Sequence, residues 1–510
     1  MSAGAALFDF DNDGRLDILL LQGGPPGSQK GGQLFRQEVD GKFADVTRAS
    51  GLDVAGYGMG AATGDINNDG LPDVLLCGYT GVRLFLNTGR GRFRDVTQEA
   101  HLSDPGWAVS AAFFDYDRDG RLDLVVANYV EAVHKSCPDA AGKSDYCSPL
   151  SYNGTPSRLY HNTGDIAHVR FSDVSDSSGI GRVVGSGLGV TTLDFNDDGW
   201  QDIFISNDAR SNSLWLNQHD GTFKDHALQS GIAVNNSGMP QANMGIALGD
   251  LNGHSTPSIY VTHLGEEGNT LWAPLGGGLF QDATGGAGLL ATSMRGTGFG
   301  TVMADFNNDT FPDLALVNGR IQRARDKGAI TDAGLGSHWN PYAETNQLFQ
   351  GKAGGKFQEI SLTNAPFCNL PNVGRGLACG DVWNDGGIAL LTNSIAASAR
   401  LYRNKASTSD HWIGVRALDP RLGGRDAYGA RLTLYAAGHH WNGWVNPAYS
   451  MGCSNDPRVH FGLGSTTTIE KLEVLWPDGK KEKFTSLNLD RINTIQRGQG
   501  DDLSSPTPKA

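Results

Sequence analysis

The sequence predicts an all-β chain: a seven-bladed β-propeller of four-stranded blades, with metal loops between first and second strands, followed by a small all-β domain. Three observations predict it. An acidic pattern, D-x-[DN]-x-D-G-x-x-D, begins at Asp9, Asp65, Asp115, Asp194, Asp250, Asp305 and Asp381, so one unit recurs roughly every 55 residues with two insertions, the mark of a repeat architecture. A Leu-aromatic pair follows each loop: Leu34-Phe35, Leu84-Phe85, Leu159-Tyr160, Leu214-Trp215, Leu271-Trp272, Leu348-Phe349 and Leu401-Tyr402. Short β-like runs separated by Gly and Asn turn signals lie between these marks.

The second unit displays the elements in order. Residues 58–64 form a small-residue run suited to a crowded inner strand, and the acidic loop follows. Residues 73–77, 82–87 and 92–97 then read as the second, third and fourth strands of an antiparallel blade. The fourth-strand run recurs as Phe43-Ala-Asp45-Val46, Phe171-Ser-Asp173-Val174 and Phe223-Lys-Asp225, and more loosely at Phe280 and Phe357. Gly-rich runs at 185–189 and 296–300 occupy the first-strand position with no helix after them, which argues against a dinucleotide site. The seventh unit supplies three strands and no fourth. Met1 opens the chain inside the first strand, so closure by an upstream strand implies an N-terminally truncated chain; the alternative is that residues 411–415 complete the last blade. The expected divisions are a propeller over 1–405, a β domain over 408–500 and a disordered tail over 501–510.

With 41 Lys plus Arg against 55 Asp plus Glu, the 510-residue chain carries a net charge of −14 and lacks the basic footprint of a nucleic-acid binder. No apolar run reaches the ~20 residues of a membrane span. The acid is concentrated in five sound loops: Asp9, Asp11, Asp13 and Asp17; Asp65, Asn67, Asp69 and Asp73; Asp115, Asp117, Asp119 and Asp123; Asp194, Asn196, Asp198 and Asp202; Asp305, Asn307, Asp309 and Asp313. Hard oxygens at positions 1, 3, 5 and 9, with a turn at position 6, suit Ca²⁺ and its six to eight oxygen ligands. Carboxylates ~5 Å apart otherwise repel by roughly 3 kcal/mol per pair. An EF-hand fails, because position 12 is Leu20, Leu76, Val126, Ile205 or Leu316 instead of Glu. The expectation is about five structural Ca²⁺ ions, with the eroded loops at Asp250 and Asp381 empty.

These loops resemble FG-GAP (VCBS) repeats, as in integrin α-subunit propellers. The C-terminal stretches Asp410-His-Trp412-Ile-Gly414, Gly429-Ala430-Arg431, Ser454-Asn-Asp456-Pro-Arg458-Val-His460-Phe461-Gly462 and Trp476-Pro477-Asp-Gly479 resemble the ASPIC/UnbV domain of the cartilage acidic protein family and its bacterial relatives. The resemblance implies calcium binding and an extracellular or periplasmic address, the signal peptide being lost with the upstream segment. It implies no defined reaction.

Cys137 and Cys147, in the third unit's insertion, and Cys368 and Cys379, around the seventh unit's first strand, are the disulfide candidates; neither pair has zinc-ligand spacing. The insertions 129–157 and 319–345 join second to third strands, which in an up-and-down blade places them opposite the metal loops. They carry Tyr129, Glu131, His134, Tyr146 and Tyr152, and Arg320, Arg323, Arg325, His338, Trp339 and Tyr342, a candidate surface for a protein or carbohydrate ligand. No H-E-x-x-H, G-x-S-x-G or cysteine-nucleophile motif is present, and His460 reads as a packed histidine. The sequence favours a secreted, monomeric, calcium-binding adhesion or ligand-binding module. The alternatives are a secreted carbohydrate-active hydrolase or lyase, and an accessory protein of a biosynthetic pathway.

Overall fold

The computed structural model describes residues 4–23, 31–133, 135–138, 142–324, 330, 332–405 and 410–503; Met1, His134, Arg325 and the tail from Ser504 lie outside them. Strand accounts for 44 % and helix for 8 %, the α-helices being single turns such as Thr47–Ser50, so the protein is all-β. Seven antiparallel sheets follow one another along the chain. Their first strands are Ala5–Phe8, Gly58–Gly64, Ala108–Phe114, Gly187–Leu193, Ile246–Gly249, Gly298–Ala304 and Val373–Gly380. Sheets one to six each run through four repeat strands in chain order, and sheet seven has three among the described residues. Successive first strands pack side by side, and Val373–Gly380 packs against Ala5–Phe8.

The recurring residues each satisfy a backbone group. Position 9 of a sound loop opens the second strand, and Asp17, Asp73, Asp123, Asp202 and Asp313 each accept one N–H from loop position 2 and one from the end of the third strand. For Asp73 these donors are Ile66 at 3.0 Å and Asn87 at 2.7 Å. The fourth-strand run acts alike: Asp45 accepts the Thr47 N–H at 3.0 Å, while Thr47 Oγ1 accepts the Leu34 N–H at 3.0 Å. An Asn closing the third strand ties its sheet to the preceding one. Asn87 Nδ2 donates to Phe10 O at 2.8 Å, Asn162 to Ile66 O at 2.9 Å and Asn217 to Tyr116 O at 2.8 Å. Sheet one has Gln37 there, and its amide donates to Val382 O of the seventh unit at 3.1 Å.

The C-terminal domain is built from two sheets. One centres on His411–Asp419, with Val459–Gly464 antiparallel and Ile492–Gln496 parallel to it. The other runs His439–Trp444, Arg431–Ala436, Ile469–Leu475, Lys481–Phe484, Asp501–Asp502. Two expectations change. Residues 411–415 do not complete sheet seven, because Val459–Gly464 and Ile492–Gln496 take their backbone groups on both edges. Asp501 and Asp502 do not belong to a disordered tail: they pair with Lys483 and Glu482, and Lys483 Nζ lies 3.3 Å from Asp501.

Residues 446–456 leave this domain as a loop and fill the axial space between the first strands. Asn446 Nδ2 donates to Thr191 Oγ1 at 3.0 Å, and Ser450 accepts the Ile246 N–H at its carbonyl and the Thr301 N–H at its hydroxyl, both at 3.1 Å. Gly452 O accepts the Ala61 N–H at 3.1 Å, and its own N–H donates to Ser110 Oγ at 2.9 Å. Cys453–Ser454 pairs in parallel with Ala5 and Ala6, and Asn455 Oδ1 accepts the Cys379 N–H at 3.0 Å. One segment thus bonds to all seven first strands, whose inner edges carry polar groups that need partners.

Candidate functional site

Each sound loop turns through left-handed residues at positions 4 and 6, for instance Asn12 at φ 57° and Gly14 at φ 84°. Thr310 holds position 6 of its loop at φ 81°, a strained conformation for a β-branched residue. The first Asp fixes the turn, as Asp9 does by accepting the N–H groups of Asp13 and Gly14, both at 2.9 Å. Ligand atoms of Asp9, Asp11 and Asp13 come within 4.8 Å of one another, as do those of Asp115, Asp117 and Asp123. His161 forms a further such group with Asp117 and Asp119, its Nδ1 3.0 Å from Asp123. Sequence reasoning missed it, although it directly follows the Leu159-Tyr160 mark. In the loops at Asp65, Asp194 and Asp305 the third residue is Asn, whose amide donates to the fifth-position carboxylate: Asn67 to Asp69 at 2.9 Å, Asn196 to Asp198 and Asn307 to Asp309 at 2.8 Å.

Burial works against these charges. It pushes Asp65, Asp115 and Asp194 up to about 6, Asp123 and Asp313 up to about 7, and Asp17 and Asp305 up to about 8, with neighbouring carboxylates adding to the rise. Asp11 Oδ1 and Asn67 Oδ1, both at position 3, are buried with no hydrogen-bond partner. Buried oxygens without donors, beside several carboxylates, fit a hard divalent cation.

Protein groups take up carboxylates of the eroded loops. Asp250 Oδ2 accepts the backbone N–H of Asn442 at 2.8 Å and its side-chain amide at 3.0 Å, and Arg403 donates to Asp385 at 2.7 Å. The C-terminal domain reaches every loop. Arg416 stands 3.9 Å from Asp9, and buried Arg425 donates to Gly120 O at 3.2 Å within the field of Asp65 and Asp115. Arg431 pairs with Asp197 at 2.6 Å, Arg458 donates to Asp381 O at 2.7 Å, and His460 Nε2 lies 2.7 Å from Asn308 Oδ1. Gly462 permits this approach, since a Cβ there would lie 2.0 Å from Asp305 Oδ2.

The two long insertions meet. Arg323 gives its backbone N–H to Asp145 at 3.2 Å and its guanidinium to Ser144 O at 3.0 Å, and the Tyr342 hydroxyl donates to Asp145 at 2.9 Å. The Cys137–Cys147 disulfide pins the first insertion. Cys368 and Cys379 do not pair: both are free and buried. Cys368 ends the turn Ala365–Cys368, whereas Cys379 lies near the far end of Val373–Gly380, ~20 Å of extended strand away from its start.

At the junction lies a cavity of about 140 Å³ lined by Tyr129, Tyr146, Tyr152, Arg320 and Trp339, all among the residues assigned to this surface. Arg323 and Tyr342 hold the junction together, and His338 packs edge-on to Trp339 at 4.7 Å. Sequence reasoning missed Tyr57, Trp107, Asp208, Phe299 and Arg375 in the same wall. Each comes from a different unit, Asp208 from just after a second strand and the others from in or just before a first strand, where an aromatic or charged residue carries no local signal. Asp208 is buried, which pushes its carboxyl up to about 6, and the Tyr129 hydroxyl donates to it at 2.7 Å.

Residues 9–76, 65–126 and 194–261 match the FG-GAP-like repeat family, and residues 422–502 match the ASPIC and UnbV family. The chain carries FG-GAP-like repeats and an ASPIC/UnbV domain. Cartilage acidic protein 1 of Xenopus tropicalis is 26 % identical over 319 residues, 61 % of this chain and 45 % of that protein. The Homo sapiens protein of the same name is 26 % identical over 317 residues, 60 % of this chain and 43 % of its own, so the matches span under half the length of these relatives. The BP39L lectin from Burkholderia pseudomallei aligns with a TM-score of 0.47 at 11 % identity, covering 78 % of this chain and 95 % of that one. The FG-GAP matches contain the loops at Asp9, Asp65, Asp115, Asp194 and Asp250. The ASPIC/UnbV match contains Arg425, Arg431, Asn442, Arg458 and His460, which reach the loops. No helix among the described residues is long and apolar enough to cross a membrane.

Proposed function

We propose that the seven sheets are blades of a closed β-propeller, that its five sound loops hold Ca²⁺, and that the protein acts outside the cell as an adhesion or ligand-binding module. Its ligand enters the cavity at the joined insertions. The Arg323–Asp145–Tyr342 junction carries this reading, because it brings aromatic side chains from two distant insertions over one axial cavity. The Gln37–Val382 bond and the packing of the first strand on Val373–Gly380 support closure. In the loops, the residues at positions 1, 3 and 5 would hold the cation, while the ninth-position Asp braces the turn through backbone N–H groups. A bound Ca²⁺ supplies positive charge that keeps these buried carboxyls ionised.

A formed Cys137–Cys147 disulfide supports an oxidising, extracytoplasmic address, as does the likeness to a protein named for cartilage. The segment 446–456 fills the axial space from the loop side, which favours binding at the opposite mouth over catalysis within a through-channel. The test uses calcium-loaded wild type, Trp339→Ala and Arg323→Ala against immobilised matrix proteins and glycans. Ligands held by wild type and lost by Trp339→Ala support the reading; equal retention by all three removes it.

A further inference from the structure

We infer that the axial cavity takes the terminal pyranose unit of a neutral glycan, an inference that rests on reading this cavity as the ligand site. The walls set the ligand class. Tyr57, Trp107, Tyr129, Tyr152 and Trp339 present aromatic surface, with Trp107 and Tyr129 edge-on at 5.3 Å. Such surface stacks on the C–H faces of a sugar ring as it does on other apolar groups. Trp107 Nε1 is buried and has no hydrogen-bond partner, and Asp208 adds a carboxylate to the same wall. A purely apolar ligand leaves that N–H without an acceptor.

Charge weighs against the ionic alternatives. Arg320 stands 3.3 Å from Glu344, and the Arg375 guanidinium donates to Gly319 O, Gly374 O and Arg320 O. These bonds engage both terminal nitrogens of Arg375, and Glu344 offsets the charge of Arg320, so less of either charge is left for an incoming anion. The same two groups repel a cation. A neutral ring bearing hydroxyls, which both donate and accept, answers the indole N–H and the Asp208 carboxylate together.

Depth sets which part of a glycan enters. Met244 and Phe299 line the cavity, and the neighbouring strand residues Ile246 and Thr301 are already bonded to Ser450 of the axial segment. The space is therefore blind, and at about 140 Å³ it is smaller than the ~300–1,000 Å³ of pockets that enclose drug-sized molecules. One ring fits, and a polymer cannot thread through.

The test offers the intact, calcium-loaded protein an array of linear oligosaccharides ending in glucose, galactose, mannose, N-acetylglucosamine, fucose or rhamnose, together with endless cyclic glucans. Saturation-transfer NMR maps the contacted ring, and a library of small aromatic, anionic and cationic fragments is screened in parallel. Expected are binding of a linear glycan with transfer concentrated on its terminal ring, and an affinity loss of about tenfold in Trp107→Phe, which keeps an aromatic ring and removes the donor. Asp208→Asn should lower affinity similarly with the melting temperature unchanged. Fragments that bind this cavity while no glycan does overturn the sugar assignment and leave the ligand site standing. Absence of both glycan and fragment binding overturns both. Equal binding of cyclic glucans, or transfer to interior rings, overturns the terminal-unit claim.

Discussion

Gln37 Nε2 donates to the carbonyl of Val382 at 3.1 Å, making between the first and last sheets the bond that Asn87, Asn162 and Asn217 make between consecutive ones. Gln37 is only 2 % exposed, so its loss leaves a buried carbonyl unpaired. Gln37→Leu should lower stability by about 1–3 kcal/mol, read as a fall in the urea midpoint at constant m-value. Its neighbour Arg36, whose ion pair among the described residues is with half-exposed Glu38, should tolerate Arg36→Leu within about 0.5 kcal/mol. Equal midpoints for Gln37→Leu and wild type would show that the two sheets are joined by other means.

Calcium should raise the melting temperature and a chelator should lower it. Free Ca²⁺ at about 100 times its dissociation constant adds about 2.7 kcal/mol per site to the folded state. Asp13→Ala and Asp119→Ala should each remove one ion from the stoichiometry read by titration calorimetry. Asp250→Ala should leave the stoichiometry intact yet destabilise the protein, because Asp250 already accepts two bonds from Asn442. Identical melting curves with and without calcium would refute the metal reading.

His263 yields the pH prediction. It is fully buried, which pushes its imidazole down to about 3, and its Nε2 lies 3.1 Å from Thr270 Oγ1. The unfolded chain takes up this proton near pH 6.5 and the folded one only near pH 3, so its contribution is complete above about 6.5 and is lost as pH falls toward 3. His263→Gln removes that dependence. The stability gap between wild type and variant should narrow from about pH 7.5 to about pH 5, by at most about 1.4 kcal/mol per unit. A gap that stays constant would contradict it.

The repeat body was legible because its marker residues each do a job that few side chains can do. A carboxylate at positions 1 and 9 gives a separate oxygen to each of two backbone N–H groups, as Asp73 and Asp65 both do. The cavity was half legible. Tyr146 and Trp339 stand in conspicuous insertions, but Trp107, Asp208 and Arg375 come singly from separate units and read locally as strand ends or core. Cys379 misled for a related reason: an eleven-residue spacing suits a looped disulfide, and an extended strand carries the second thiol away from the first. Residues 446–456 look like an ordinary turn, since their acceptors and donors lie in seven distant places.

The two domains should melt together. Ala61, Ile246, Thr301 and Cys379 all donate N–H groups to residues 446–456, so undocking the C-terminal domain exposes the centre of every sheet. Calorimetry should show one transition with equal calorimetric and van't Hoff enthalpies. Two separated peaks would show that the axial segment is a dispensable filler.

The pairing of Cys453–Ser454 with Ala5 and Ala6 also sets a clock. Synthesis delivers Ala5 and Ala6 long before their inner neighbours Cys453 and Ser454, so a growing chain carries finished sheets whose inner edges still face water. Contacts between such remote stretches form slowly, and unfinished edges invite association with other chains. Once the last segment is seated, the same remoteness acts in reverse: no end of the body can fray without first withdrawing its centre. Refolding from denaturant should therefore be slow and prone to aggregation, and unfolding slow as well, giving a protein guarded by its rates.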